Sequence, residues 1–109
     1  MDPLTHERHA FVMYLNPGQR DEYRRRHDEI WPELVALLKL HGIGNYSIHV
    51  DPATDRLFAY LEREKGFDGA ALASDPVMRR WWDHMKDLMR THPDGAPVAD
   101  PLVEVFFMA

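Results

Sequence analysis

The sequence predicts an α+β fold of β-α-β-β-α-β order, the ferredoxin-like arrangement in which helices cover one face of a four-stranded antiparallel sheet. Three observations lead there. Short, β-prone apolar segments lie at 9–15, 45–51, 56–62 and 102–108. Two longer stretches carry apolar residues at three- and four-residue spacing, the signature of an amphipathic helix. The middle two strands are separated only by Asp51-Pro52-Ala53-Thr54-Asp55, whose residues all favour turns, so they form a hairpin.

In chain order, residues 1–8 read as a polar lead-in, and 9–109 as a single domain. His9 to Leu15 is the first strand. Asn16-Pro17-Gly18 ends it, with Asn16 placed to cap the following helix and Pro17 suited to its first turn. The helical stretch runs from Gln19 to Leu40. Pro32 interrupts it, because proline removes a backbone bond and clashes with the preceding turn, so a kink or two consecutive helices is expected. His41-Gly42 is the stop. Asn45–Asp51 and Arg56–Glu62 form the hairpin. A weak helix over 66–73 precedes a stronger one that Asp75 caps and Pro76 opens, with Val77, Met78, Trp81, Trp82, Met85, Leu88 and Met89 on its inner face. A Pro/Gly-containing loop over 92–101 leads to a last strand, Leu102–Met108.

Strands one and four are apolar on both faces. Phe11, Met13 and Leu15 oppose Ala10, Val12 and Tyr14, and Val103, Val105 and Phe107 oppose Leu102, Phe106 and Met108. Helices can cover one face only. The other would be a large exposed apolar patch, so the sequence predicts a homodimer through the sheet face.

Composition narrows the function. The 109 residues are 45% hydrophobic and 28% charged, with net charge −5 and no cysteine. The acidic balance argues against nucleic acid or an anionic membrane as partner. Without cysteine there is no disulfide framework and no thiolate metal site. No apolar run approaches the roughly 20 residues that span a bilayer, and the N-terminus lacks a signal core, so a cytoplasmic location is expected. The histidines outside the candidate site, His6, His9, His41, His49, His84 and His92, show no HExxH or i, i+4 pairing, so no metal is expected. Arg24-Arg25-Arg26 reads as a solvated helix side, with room for one arginine to turn towards the pocket rim or a carboxylate.

Two features remain that could carry chemistry. Tyr23 and His27 stand four apart on one helix face, and Trp31 continues it. The adjacent pair Trp81-Trp82 points about 100° apart, so either one ring fills core while the other borders a cavity, or both flank it. Each alone is the ordinary furniture of a core. Together, rings and phenols around an imidazole are what a carbohydrate pocket requires: aromatic faces cover C–H surfaces and polar tips meet hydroxyls. Tyr46 alternates with Ile48 and Val50 and joins this group if that face meets the helices. His49 lies on the opposite face.

Tyr23-Arg24-Arg25-Arg26-His27-Asp28-Glu29-Ile30-Trp31-Pro32-Glu33-Leu34, His41-Gly42-Ile43-Gly44-Asn45-Tyr46, Arg80-Trp81-Trp82, Pro93-Asp94-Gly95-Ala96-Pro97 and Glu104-Val105-Phe106 occur in this order and closely resemble the L-rhamnose mutarotase family. The resemblance covers His9 to Met108. It implies a dimeric α+β barrel, a single mutarotase-like domain over 9–109, no cofactor, and interconversion of the anomers of L-rhamnose. It implies that His27 is the proton-donating histidine, and that Tyr23, Tyr46, Trp81 and Trp82 bind the sugar. The same fold class also hosts small monooxygenases, haem-handling enzymes and non-catalytic ligand-binding dimers, which the fold alone does not separate from a mutarotase.

Overall fold

A computed structural model describes residues 2–109. The first strand, β1 (His6–Tyr14), begins three residues before the expected start, inside the polar lead-in. Its length follows from pairing: all nine residues are in antiparallel register with β3 (Arg56–Glu64), from His6 opposite Glu64 to Tyr14 opposite Arg56. A partner strand extends pairing through polar residues that an apolar pattern cannot mark.

The long helical stretch is two helices, α1 (Arg20–Asp28) and α2 (Pro32–Leu40). Proline disfavours helical backbone at the residue before it, and Trp31 is accordingly extended, with φ −68° and ψ 132°. Asn16 does not cap α1. Gln19 occupies the cap position without a side-chain bond, and the Asn16 amide instead donates to the Asp87 carbonyl at 3.2 Å. Pro17 and Gly18 form the turn before the helix rather than its first turn. Gly42, at φ +76°, ends α2; a β-carbon there would stand 2.5 Å from the Glu64 side chain, so the close approach of the chain ends requires glycine.

β2 (Gly44–Asp51) pairs with β3 across a turn in which the Asp51 carboxylate accepts from the Ala53 amide at 3.1 Å. A short helix, α3 (Gly69–Ser74), starts three residues later than the sequence suggests, capped by Asp68. The helix α4 (Pro76–Met85) begins as expected, with the Asp75 carboxylate accepting from the Val77 amide at 2.8 Å, and runs into a 3₁₀ turn at Lys86–Leu88. The sheet is antiparallel with order β2-β3-β1-β4.

The last strand departs most from expectation. β4 comprises only Asp100 and Pro101, opposite Val12 and Phe11, with one further bond from the Leu102 amide to the Ala10 carbonyl. The run expected to form the strand, Leu102–Met108, lies outside the sheet. Its apolar residues are exposed, Val105 by 94% and Phe106 by 79%. Alternation reports a residue's preference for extended backbone; it does not supply a neighbouring edge.

The core lies between the inner face of the sheet and the helices. Leu34, Leu57 and Leu88 are its most completely buried side chains, each 2% exposed. No helix among the described residues is long and apolar enough to cross a membrane.

Candidate active site

The helix α1 carries Tyr23 and His27 one turn apart, and their rings stack with centroids 4.3 Å apart at 30°. Tyr23 is buried. The His27 Nδ1 lies 3.1 Å from the Tyr23 carbonyl oxygen. Trp81 reaches the imidazole from α4, edge to face at 5.4 Å. Trp81 is itself wedged by Trp31, whose ring meets it at 5.1 Å and 85°. The break before Pro32 turns Trp31 out of the helix and into this wedge, so Trp31 supports the site from behind.

The other wall is the sheet. Tyr46, Ile48 and Val50 face the helices, as alternation requires. A register shift between Gly44 and Ser47, with Asn45 at φ +47°, precedes the wall at the start of β2. The Tyr46 ring meets Phe11 of β1 edge to face at 6.4 Å. These rings come together across the central strand β3, where Ala59, in register with both Phe11 and Ile48, offers only a methyl group.

Between the walls lies a cavity of about 960 Å³, bordered by Tyr23, His27, Tyr46, Trp81, Trp82 and Phe11 among others. It is at the upper end of the roughly 300–1,000 Å³ found for small-molecule sites. Trp81 is buried and Trp82 half-buried, and both flank the cavity, Trp81 from within the core. A second, polar depression of about 350 Å³ lies beside α4 and the loop at 91–95. Its cations are already engaged, Arg79 with Asp94 at 3.6 Å and Lys86 with Asp83 at 2.6 Å.

Burial lowers the His27 pKa, against the opposing effects of the Tyr23 carbonyl and the Asp28 charge, so the imidazole is neutral at neutral pH. Burial pushes the Tyr46 phenol up to about 12 and raises Tyr23 as well. Tyr46 exposes 40% of its surface, but into the cavity, where a phenolate is poorly solvated. Both phenols therefore stay protonated. Neither hydroxyl has a hydrogen-bond partner among the described residues. The cavity thus presents one neutral imidazole, two free phenols and an aromatic surround. No cluster of His, Asp and Glu able to hold a metal ion occurs among the described residues.

Comparison with known proteins agrees with this arrangement. The family model described as L-rhamnose mutarotase matches residues 8–108. The chain is 54% identical to an L-rhamnose mutarotase of Rhizobium etli over 105 residues, covering 96% of this chain and 99% of that one. It is 55% identical to one of Agrobacterium fabrum over 102 residues, covering 94% and 95%. The crystal structure of an L-rhamnose mutarotase from Formosa agariphila superposes with a TM-score of 0.87 at 47% identity, covering 94% of this chain and 99% of that one.

The chain belongs to the L-rhamnose mutarotase family.

Membership in the L-rhamnose mutarotase family sets it apart from the monooxygenases and haem-handling enzymes of the same fold class. All five residues singled out in the sequence, His27, Tyr23, Tyr46, Trp81 and Trp82, come together at the one cavity. His49 is absent from the cavity wall, as its position on the strand requires. Two features escaped the sequence reading. Phe11 forms part of the cavity floor; its alternation with Met13 and Leu15 placed it on the correct face but among core residues. Arg26 turns inward and donates to Asp87 at 2.8 Å, tying α1 to the end of α4 behind His27. The sequence allowed one of three arginines this role, and no periodic signal says which.

Proposed function

We propose that this protein interconverts the α and β anomers of L-rhamnopyranose by acid/base-assisted ring opening and reclosure. The observation that carries the reading is the meeting of His27 with two unpartnered phenols and the tryptophan pair at one cavity, in a chain of this family. The hemiacetal must lose the proton of its anomeric hydroxyl and gain one on its ring oxygen, and reclosure reverses both transfers. The reaction is redox-neutral and needs no cofactor. Imidazole suits it, since its pKa near neutrality lets it give and take protons at working pH. Tyr23 and Tyr46 present hydroxyls to the sugar, while Trp81, Trp82 and Phe11 cover its C–H and methyl surfaces.

The working form in this reading is a homodimer. The outer face of the sheet exposes Phe58, and the exposed segment after Leu102 adds five more large apolar side chains. A second copy would cover both. Sedimentation at low micromolar concentration tests it, and a well-behaved monomer there would sink the dimer. In this reading the protein works in the cytoplasm, a reducing compartment that suits a cysteine-free chain.

Saturation-transfer NMR on L-rhamnose and several other aldoses, with and without protein, tests the activity. The expected result is accelerated exchange between the anomers of L-rhamnose. Unchanged exchange on every sugar would contradict the reading.

A further inference from the structure

Mutarotation moves the anomeric hydroxyl from one face of the sugar ring to the other. A sugar that opens and recloses in place is held by the atoms that do not change, the hydroxyls remote from C1. Around His27 the wall offers two phenols and aromatic rings, so polar groups further along the cavity bear on binding.

His9 is such a group. It lies on the inner row of β1, two residues before Phe11, and borders the same cavity. Its ring stacks on Phe11 with centroids 5.3 Å apart at 26°, and Phe11 in turn meets Tyr46. The imidazole is half-buried, and neither ring nitrogen has a hydrogen-bond partner among the described residues. A polar ring taken partly out of water without a partner costs stability unless something else satisfies it. The polar side chains at the same end of the sheet are engaged. Arg63 Nε donates to Glu7 at 2.9 Å, and the guanidinium lies over the Phe67 ring at 5.0 Å. The Asn45 amide donates to Glu62 at 2.6 Å.

Burial and the Arg63 charge hold the His9 imidazole below the usual histidine range, against the opposing effect of Glu7. The neutral ring carries one donor and one acceptor. That pair matches hydroxyls, each of which both donates and accepts. A carboxylate or phosphate calls for several donors or a free cation, and the cation beside His9 is already paired with Glu7.

Building on the mutarotase reading above, we propose that His9 is a further binding point for the sugar, its two ring nitrogens pairing with neutral hydroxyls remote from the anomeric carbon, across the Phe11 ring from Tyr46. A contact to atoms that the reaction leaves alone is equal in both anomers and in the transition state. It therefore lowers KM in each direction without raising kcat. It also favours a neutral aldose over a uronic acid or a sugar phosphate.

The test is a titration of ¹⁵N-histidine-labelled protein with L-rhamnose, joined to exchange kinetics of the wild type, His9→Phe and His9→Gln. Phenylalanine keeps the stack on Phe11 and removes both nitrogens, while glutamine restores a donor and an acceptor. L-rhamnose is expected to shift the His9 ring nitrogens saturably, in step with those of His27. His9→Phe is expected to raise KM about fivefold or more for both anomers, with kcat within about twofold of wild type, and His9→Gln to recover most of the loss. Unmoved His9 nitrogens at L-rhamnose concentrations that saturate the His27 shift would overturn the proposal, as would a wild-type KM in His9→Phe. The titration uses the wild-type chain, so it decides the question even where a variant does not fold. Saturable His9 shifts with no accelerated exchange on any aldose would overturn the mutarotase reading and leave the binding point standing.

Discussion

Tyr14 and Tyr60, on the outer face of the sheet, each donate to a carboxylate: Tyr14 to Asp100 at 2.5 Å and Tyr60 to Glu62 at 3.0 Å. Tyr23 and Tyr46, at the cavity, donate to no group among the described residues. These are the four tyrosines of the chain. A phenol that has found a carboxylate gives up a water bond for a protein bond and contributes modestly to the fold. A phenol held over a cavity with no protein partner gives the fold nothing from its hydroxyl, and keeps that hydroxyl for a ligand. In the proposed reading the same residue type serves structure on one side of the sheet and recognition on the other, and the presence of a partner is what distinguishes them.

The sharpest way to break this contrast is His27→Ala. Anomer exchange should fall by roughly 10²-fold or more, the scale of acid/base assistance, while circular dichroism and the melting transition stay close to wild type. Exchange at the wild-type rate would remove the cavity's claim to be the active site. Trp81→Ala should damage both sides of the ledger. It removes a buried ring that touches Trp31, His27 and His84, so stability should drop by about 3–5 kcal/mol in chemical denaturation, and exchange should fall with it. A loss below about 1 kcal/mol would mean the ring is not part of the core.

On the outer face, Phe58→Asp should leave exchange per protomer unchanged at high concentration and shift the proposed dimer towards monomer on dilution by tenfold or more. Sedimentation velocity reads the shift, and an unaltered dimer would move the interface elsewhere. The smallest effect expected is that of Tyr60→Phe, under about 1 kcal/mol in denaturation with exchange intact. A clear loss of exchange there would show that the outer face reaches the chemistry.

Part of this contrast, the face each side chain takes, was legible in the sequence. Alternation in β2 put Tyr46 on the inner face and His49 on the outer. Helical spacing joined Tyr23 to His27, and the 100° step between Trp81 and Trp82 allowed both rings to flank the cavity. What was not legible depends on partners distant in the chain. The apolar alternation of Leu102–Met108 is a good strand pattern, yet nothing in a strand's own residues states whether an edge awaits it. The Asn16 amide, suited by type to cap the next turn, bonds instead to a carbonyl 71 residues away. The Tyr23 carbonyl that fixes the His27 ring is a backbone atom, invisible to any reading of side chains. Periodicity reports which way a residue faces; the hydrogen bond it makes there is settled by folding.

Ala59 lies almost completely buried at the centre of the sheet, beneath the meeting of Phe11 and Tyr46. A site packed this closely has no room for a larger side chain unless a neighbour moves. A valine or leucine there would push one of the two rings towards the cavity and shrink it, at a cost of about 1–3 kcal/mol in stability. The position therefore ties the packing of the sheet to the volume of the cavity, so libraries that evolve this scaffold towards new ligands should hold residue 59 fixed and vary the rings above it.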